Sequence, residues 1–338
     1  MNWYLENGKD SDIVISSRIR LARNISGIPF KIKMKQENQK ELLEKIKYVT
    51  PSIGYGLKFL MLKDMDDLTK MTLVEKHLIS PDIVLNNQSE SAILINEEEN
   101  ICIMINEEDH IRMQIFSSGL DLQNTLNLAI EIDEKLNELL QYSSSEKYGY
   151  LTACPTNVGT GLRASVMVHL PALKMTGNIS KVLHIINGLG MNIRGIYGEE
   201  SQSKGDLYQI SNNQTLGITE NEIIANLENI TRKVIEQERL ARKYLTKNSI
   251  ELEDKVYRSY GILTNAVKLS SDECISLLSD VKLGTDLGII KELDDSKVKK
   301  LELYTKPANL QKYTGRLLSS NERDIKRGEV IKEIIKAK

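Results

Sequence analysis

Between positions 162 and 170, Leu162, Ala164, Val166, Val168 and Leu170 alternate with Arg163, Ser165, Met167 and His169. A period of two sends successive side chains to opposite faces, so the segment reads as a strand with one apolar and one polar face. The same grammar recurs at 13–20 (IVISSRIR), and at 101–106 and 111–116, which flank the acidic turn Glu107-Glu108-Asp109-His110. It recurs again at 193–197 and 207–211, on either side of the polar loop 198–206, while 151–154 reads as a strand entering a glycine-containing loop, 155–161. Strands joined as hairpins predict a mostly antiparallel sheet. Apolar residues at three-to-four spacing predict helices over 36–48, 65–76, 121–141 and 177–189, enough to cover one sheet face. From about residue 219 the pattern changes. Thr219-Glu220-Asn221-Glu222 is a capping box that opens a long helix towards Tyr244, Ser270-Ser271-Asp272-Glu273 opens another, and almost everything between and beyond reads as helix. The expected class is therefore α+β: a mostly antiparallel central sheet flanked by helices, followed by an all-helical C-terminal domain. The expected division is 1–245 and 246–338.

Composition narrows the function classes. The 338 residues carry 45 Lys and Arg against 47 Asp and Glu, a formal net charge of -2, so no global field draws the chain onto nucleic acid or anionic lipid. Any polyanion site must be local. Cys102, Cys154 and Cys274 are far apart and form no C-x-x-C pair, which argues against a disulfide framework and a structural metal site. No apolar run approaches the roughly 18 residues of a membrane span, and residues 1–7 lack the pattern of a signal peptide. The expectation is a soluble cytoplasmic protein.

Arginine placement carries the chemistry. Arg18 and Arg20 lie two apart in one strand, Arg112 begins another, Arg163 follows the glycine loop and Arg194 lies within a fourth. A guanidinium matches phosphate with a rigid fork and is costly in a sheet without an anionic partner. Any one of the five is explained by solvent or an ion pair; five together, interleaved with apolar residues, favour a shared polyphosphate. The loop Gly159-Thr160-Gly161-Leu162-Arg163-Ala164 matches G-x-G-x-x-A, but a strand follows it where a dinucleotide fingerprint needs a helix, and no P-loop run occurs. Side chains must therefore do most of any phosphate binding. Glu108 and Glu199 sit near arginines in sequence and could hold a cationic substrate or take its proton, although either one taken alone is more often a solvated acidic residue. Cys154 is either a reactive thiolate near cationic groups or a small buried residue. His77 and His110, taken alone, are more often structural than ligating.

Ser16-Ser17-Arg18-Ile19-Arg20, Asn106 through Arg112 (NEEDHIR), Cys154 through Gly161 (CPTNVGTG), Arg163-Ala164-Ser165-Val166 and Arg194 through Glu199 (RGIYGE) together resemble the phosphagen (guanidino) kinase catalytic domain. The resemblance covers about residues 13 to 241. It is closest in character to the bacterial protein-arginine kinase branch, because the chain begins almost at the first motif and continues into a helical C-terminal region. It implies a central antiparallel sheet, as the periodicity does independently. It also implies ATP with Mg²⁺ as cofactors, bound through Ser16, Ser17, Arg18, Ile19, Arg20, His77, Arg112, Arg163, Ala164, Ser165, Val166, Met167, Arg194, Gly195, Ile196, Tyr197, Gly198 and Glu199. Glu108 takes the place of the family's guanidinium-binding carboxylate and proposed base, Glu199 that of the second carboxylate, and Cys154 that of the cysteine contacting the guanidinium. Arg323-Asp324-Ile325-Lys326-Arg327-Gly328 resembles an RDxxRA motif implicated in phosphoarginine binding and allosteric activation, with Gly328 replacing the usual alanine. Residues 291–338 hold 13 Lys and Arg against 8 Asp and Glu, a bias that suits a phosphorylated segment. The implied activity is transfer of the γ-phosphoryl group of ATP to arginine side chains of proteins. Further implications are a stress-response role in marking proteins for Clp-type degradation, an activator protein, a transcriptional repressor among the substrates, and a homodimer. A kinase for free arginine, and a non-catalytic adaptor that binds ATP or phosphoarginine, are the alternatives.

Overall fold

The computed structural model describes residues 2–85, 90–195 and 203–337. Its strands are β1 (Val14–Arg23), β2 (Lys58–Met61), β3 (Ala92–Ile95), β4 (Ile101–Ile105), β5 (Ile111–Ser118), β6 (Ser144–Ser145), β7 (Gly149–Tyr150), β8 (Leu162–His169), β9 (Met191–Gly195) and β10 (Leu207–Asn212). Eight of them form one sheet in the order β2-β3-β4-β5-β1-β8-β10-β9, with every neighbouring pair antiparallel; β6 and β7 form a separate two-stranded ribbon. The expected antiparallel sheet is thus present, with β1 at its middle. The short strands β2 and β3 are additions to the periodicity reading.

Each sheet face has its own fate. Ile19, Leu21, Ile103, Met113, Ala164, Val166 and Ile210 point into a core completed by the helices Gln36–Ile53, Leu122–Leu140 and Glu220–Leu245. On the other face, the β3 to β5 half is sealed by Trp3, Leu73, Leu78, Met104 and Phe116, with helix Asp67–Glu75 over it. The remaining half of that face, over β1, β8, β10 and β9, is where the alternating polar residues emerge.

The helix at 36 runs to Ile53 rather than 48, carrying Pro51 in its last turn. Burial of Val49 and Ile53 holds that turn, and the Thr50 hydroxyl donates to the Ile46 carbonyl at 2.7 Å. The expected strand 151–154 is irregular chain. The Ala153 amide donates to the buried Asp109 carboxylate at 2.7 Å and the Thr152 hydroxyl to the Cys154 carbonyl at 2.8 Å, which takes this segment out of any ladder. The pairing forms just before it, at β7.

Both capping expectations for the long helices appear: Thr219 and Glu222 close a full capping box on Glu220–Leu245, and Ser270 accepts from the Glu273 amide at the start of Ser271–Asp286. Beyond residue 245, five helices enclose a separate core of Leu252, Val256, Leu263, Leu278, Val281, Leu301, Leu310, Val330 and Ile331. Among the polar ties that join this bundle to the sheet half are the following three. His169 Nε2 bonds the Ser279 hydroxyl at 2.8 Å, which donates to Asp206 at 2.8 Å. The Glu75 carboxylate accepts from the Ala308 and Asn309 amides at 2.7 and 2.9 Å. Buried Arg242 reaches Glu238 at 3.0 Å and Asp286 at 3.5 Å. Among the described residues, no helix is long and apolar enough to cross a membrane.

Candidate active site

Register places the arginines on one surface. Arg18 of β1 lies opposite Phe116 of β5 and Ser165 of β8, Arg20 lies opposite Gln114 and Arg163, and Ala22 lies opposite Arg112. Met167 and Ser165 then face Gln209 and Ser211 of β10, and Gln209 faces Arg194 of β9. Arg18, Arg20, Arg112, Arg163 and Arg194 therefore share one face across four strands. Ser16 and Met167 lie on the same side. Ser17, Ile19, Ala164 and Val166 point to the opposite face, and there Ser17 donates to the Gly119 carbonyl at 2.8 Å.

This face carries unbalanced positive charge. Among the described residues Arg112 alone of the five has a carboxylate partner, Glu107, at 2.6 Å. Arg18 is held by neutral groups, Gln209 Oε1 at 2.8 Å and the Ser165 hydroxyl at 3.3 Å. Arg20 has Nε and Nη2 buried without a hydrogen-bond partner, and Arg163 Nε is in the same state. Burial, then Arg112, Arg194 and Arg163, push the Arg18 guanidinium down to about 9, and burial, then Arg18, Arg112, Arg163 and Arg194, hold Arg20 well below its ordinary value. Burying unpaired cations costs several kcal/mol each, and an anion with many acceptor oxygens would relieve that cost. A cavity of about 400 Å³ opens over the Arg18 end of this face, lined on the sheet side by Ser16, Arg18, Ser165, Met167 and Gln209. His77 also lines it, at φ +63°, and burial with Lys306 and Arg18 keeps its ring neutral. The other wall comes from helices Ser271–Asp286 and Asp295–Tyr304.

The β4–β5 turn brings the acidic residues to the opposite end of the face. Glu107 is buried; besides Arg112 it accepts from the Ser80 hydroxyl at 2.6 Å and the Glu108 amide at 2.7 Å, and these contacts lower its carboxyl against the effect of burial. Glu108 is exposed, and crowding by protein atoms, then Asp109 and Glu107, raise its carboxyl above the usual range. Asp109 is the joint of the site. Its buried carboxylate accepts from Asn24 Nδ2 at 2.6 Å, just after β1, and from the Ala153 amide, which fixes Cys154 beside the acidic turn. Cys154 is half-buried, with Sγ 3.0 Å from the Thr156 hydroxyl, and its negative charge would favour the Arg163 guanidinium. His110 is structural: Nδ1 accepts from the Ile25 amide and Nε2 bonds the Pro29 carbonyl.

The glycine loop holds its shape through close contacts. Gly161 has φ +62°, and a side chain there would run into Arg23 Nη1 and lie 2.7 Å from the Ala22 carbonyl oxygen. Gly159, at φ +111°, sits against the Thr215 carbonyl. Ile196, Tyr197, Gly198 and Glu199 lie outside the described residues, as do the last two positions of the expected strand 193–197; β9 is described as far as Gly195. Sequence reasoning missed Asp109, Asn24 and Gln209. Gln209 was readable from the alternation of 207–211, whereas the first two act through partners remote in sequence.

A second cavity, of about 280 Å³, lies in the C-terminal bundle, lined by Ser270, Ser271, Asp272, Pro307, Ser320, Arg323, Asp324 and Arg327. Arg327 is buried and pinned to the Thr305 and Leu269 carbonyls at 2.9 and 2.6 Å and to Asp324 at 2.8 Å. Arg323 spends one nitrogen on the Leu318 carbonyl. Gly328 packs where a Cβ would stand 3.0 Å from the Ala266 carbonyl oxygen, tighter than ordinary contact, so glycine lets helix Ser320–Lys336 approach closely.

Residues 36–241 match the model of the ATP:guanido phosphotransferase C-terminal catalytic domain, and residues 249–338 match that of the protein-arginine kinase McsB C-terminal domain. The chain belongs to the ATP:guanido phosphotransferase family. Curated members include protein-arginine kinases of Halothermothrix orenii, 49% identical over 98% of this chain and 95% of that protein, and of Bacillus pumilus, 47% identical over 98% and 92%. Solved members of similar fold include the duplicated taurocyamine kinase of Schistosoma mansoni, with a TM-score of 0.62 and 28% identity over 71% of this chain and 36% of that one. A lombricine kinase gives a TM-score of 0.59 and 26% identity over 71% of both chains. The family's catalytic match starts after β1, so Arg18 and Arg20 join the site through register rather than through the matched segment.

Proposed function

We propose that this chain is an ATP-dependent protein-arginine kinase, moving the γ-phosphoryl group of ATP onto arginine side chains of proteins. The observation that carries this is the single sheet face on which five arginines converge, with Glu108 and Cys154 held together at its rim by Asp109. In this reading Arg18, Arg20, Arg112, Arg163 and Arg194 hold the triphosphate, and the unpartnered nitrogens of Arg20 and Arg163 are satisfied by its oxygens. Ser16, His77, Ser165 and Met167 line the nucleotide cavity, while Ser17, Ile19, Ala164 and Val166 set the strands that present them. Gly195 through Glu199 complete the ATP site by family position.

A guanidinium is a poor nucleophile because its lone pairs are delocalised and its pKa exceeds about 12. One nitrogen of the substrate attacks the γ-phosphorus as the bond from that phosphorus to the β,γ-bridging oxygen breaks. The proton it loses passes to the Glu108 carboxylate, whose raised proton affinity suits a base. Glu199 holds the guanidinium from a second side and Cys154 contacts it. The arginines spread the charge of the loose phosphoryl-transfer transition state and keep attacking and leaving atoms in line. Among the described residues no group of three or more His, Cys, Asp or Glu could hold a metal ion. Mg²⁺ bound with the nucleotide would supply charge neutralisation.

The cavity at Arg323, Asp324 and Arg327 suits phosphoarginine, because Ser270, Ser271 and Ser320 surround a guanidinium pair with hydroxyls. Kinship supports the finer parts of the proposal: a division at 1–245 and 246–338, cytoplasmic location, a stress-response role in marking proteins for Clp-type degradation, an activator protein, a transcriptional repressor as substrate, and a homodimer.

The test is incubation of the chain with ATP, Mg²⁺ and an arginine-bearing protein, then mass spectrometry under conditions that preserve the acid-labile N–P bond, with free arginine in parallel. Phosphoarginine in the protein and not in the free amino acid is expected. Phosphorylation of free arginine alone would reassign the chain as a small-molecule kinase, and neither product would favour the adaptor.

A further inference from the structure

The nucleotide cavity has two unlike walls. Its sheet wall offers donors: the Arg18 guanidinium, and Gln209 Nε2, which is buried without a partner. Its helical wall, contributed by the C-terminal bundle, is apolar at Ile275, Leu278 and Leu303 and carries two carboxylates: Asp272, which is paired with Lys204 at 2.8 Å, and Glu302. The cations around Glu302 are otherwise engaged. Lys282 bonds Asp286 at 3.2 Å, Lys299 pairs with Asp295 at 3.0 Å, and Lys306 donates to the Glu75 carbonyl at 2.9 Å. Glu302 itself accepts no hydrogen bond from any described residue. Burial raises its carboxyl, against the pull of Lys282 and Lys306.

An ionised triphosphate presents acceptors only, so a carboxylate near it repels. A carboxylate in the same cavity must face the part of the ligand that carries donors, and in ATP those are the ribose hydroxyls and the adenine amino group. Resting on the ATP reading above, we propose that Glu302 accepts a hydrogen bond from the nucleoside of ATP, with Ile275, Leu278 and Leu303 packing beside it. The helical C-terminal region thereby completes the nucleotide site, and Glu302 adds nucleoside discrimination that the arginines cannot supply. Buried acceptors of this kind discriminate strongly, because an analogue lacking the donor leaves them unpaired.

Calorimetric titration of the full chain with ADP, 2′-deoxy-ADP, 3′-deoxy-ADP and inosine diphosphate tests this without reference to turnover. One of the three analogues is expected to bind the unmutated chain roughly tenfold more weakly than ADP, the loss typical of a hydrogen bond to a charged group. In Glu302→Gln, ADP itself is expected to weaken by a similar factor and the gap between ADP and that analogue to close. Equal affinity for all four nucleotides in the unmutated chain, within twofold, overturns the proposal even if the variant fails to fold. A folded Glu302→Gln that keeps both ADP affinity and the analogue gap overturns it as well. Failure of the unmutated chain to bind ADP would instead overturn the ATP reading on which it rests.

Discussion

In the proposed mechanism Glu108 is the residue whose charge decides the chemistry. Its carboxyl is raised by crowding and by Asp109 and Glu107, so it keeps its proton to a higher pH than an ordinary glutamate. A base works only when ionised, so turnover at saturating ATP is expected to fall as pH drops through that raised value. Glu108→Gln should lower kcat by about 10²–10⁴, the usual contribution of a general base, and flatten the acid limb while ADP affinity stays. Unchanged turnover in that variant would remove Glu108 from the mechanism. Arg323 belongs to the same scale. Arg323→Ala should weaken phosphoarginine binding by roughly tenfold or more, the loss of one charge-assisted pair, with less effect on ADP; equal phosphoarginine affinity by titration would clear it of that role. The shared face of the arginines was legible because a period of two, once recognised, fixes which side chains lie together, whereas Glu108 stood out only by its place in the acidic turn and in the family motif. Asp109 was not legible, since four adjacent polar residues form one turn, and their roles are decided by Asn24, Ala153, Ile25 and Pro29.

Among the elements, the glycine loop between β7 and β8 has the least freedom. Gly161 both takes a left-handed backbone and lets β1 pass, its carbonyl accepting from the Ala22 amide at 3.0 Å. Gly161→Ala is expected to cost about 1–2 kcal/mol from the backbone alone and more from the clash with the Ala22 carbonyl. Chemical denaturation should show that loss, with Arg163 displaced and ADP affinity reduced in step; a variant of unchanged midpoint would mean that the loop has slack. Long strands were readable for the same reason as the arginines, and capped helices because their first turns carry Ser, Thr and Glu at fixed offsets. Four-residue strands such as β2 and β3 hold too few alternations to declare themselves. The segment 151–154 looked like a strand because its residues suit one; a single side-chain acceptor, Asp109, diverted the amide that pairing needed.

At the scale of the molecule, two hydrophobic cores are joined by a buried polar seam, and no sequence pattern announces it: Glu238, Arg242, Lys282 and Asp286 read as ordinary surface charges of helices. Glu238 accepts from the Ala172 and Leu173 amides at 3.0 and 2.9 Å and holds Arg242, which reaches Asp286 across the seam. Glu238→Ala takes the nearest carboxylate from buried Arg242 and leaves two amides without their acceptor, a loss of about 3–5 kcal/mol, to be seen as a lowered denaturation midpoint; Glu238→Gln, whose single amide oxygen keeps one of the two amide bonds, should lose less. Asp286 gives the seam a pH signature. Burial, opposed by Lys282 and Arg242, pushes its carboxyl up to about 6, whereas an unfolded aspartate titrates near 3.8. The folded chain therefore takes up this proton more readily than the unfolded one, so the group favours the fold increasingly as pH falls from above 6 towards 3.8. Relative to Asp286→Asn, which cannot titrate, the unmutated chain should gain thermal stability between pH 7 and pH 5. Parallel midpoints for the two proteins across that range would mean that Asp286 stays ionised within the seam, held there by Arg242 and Lys282 more strongly than burial opposes it.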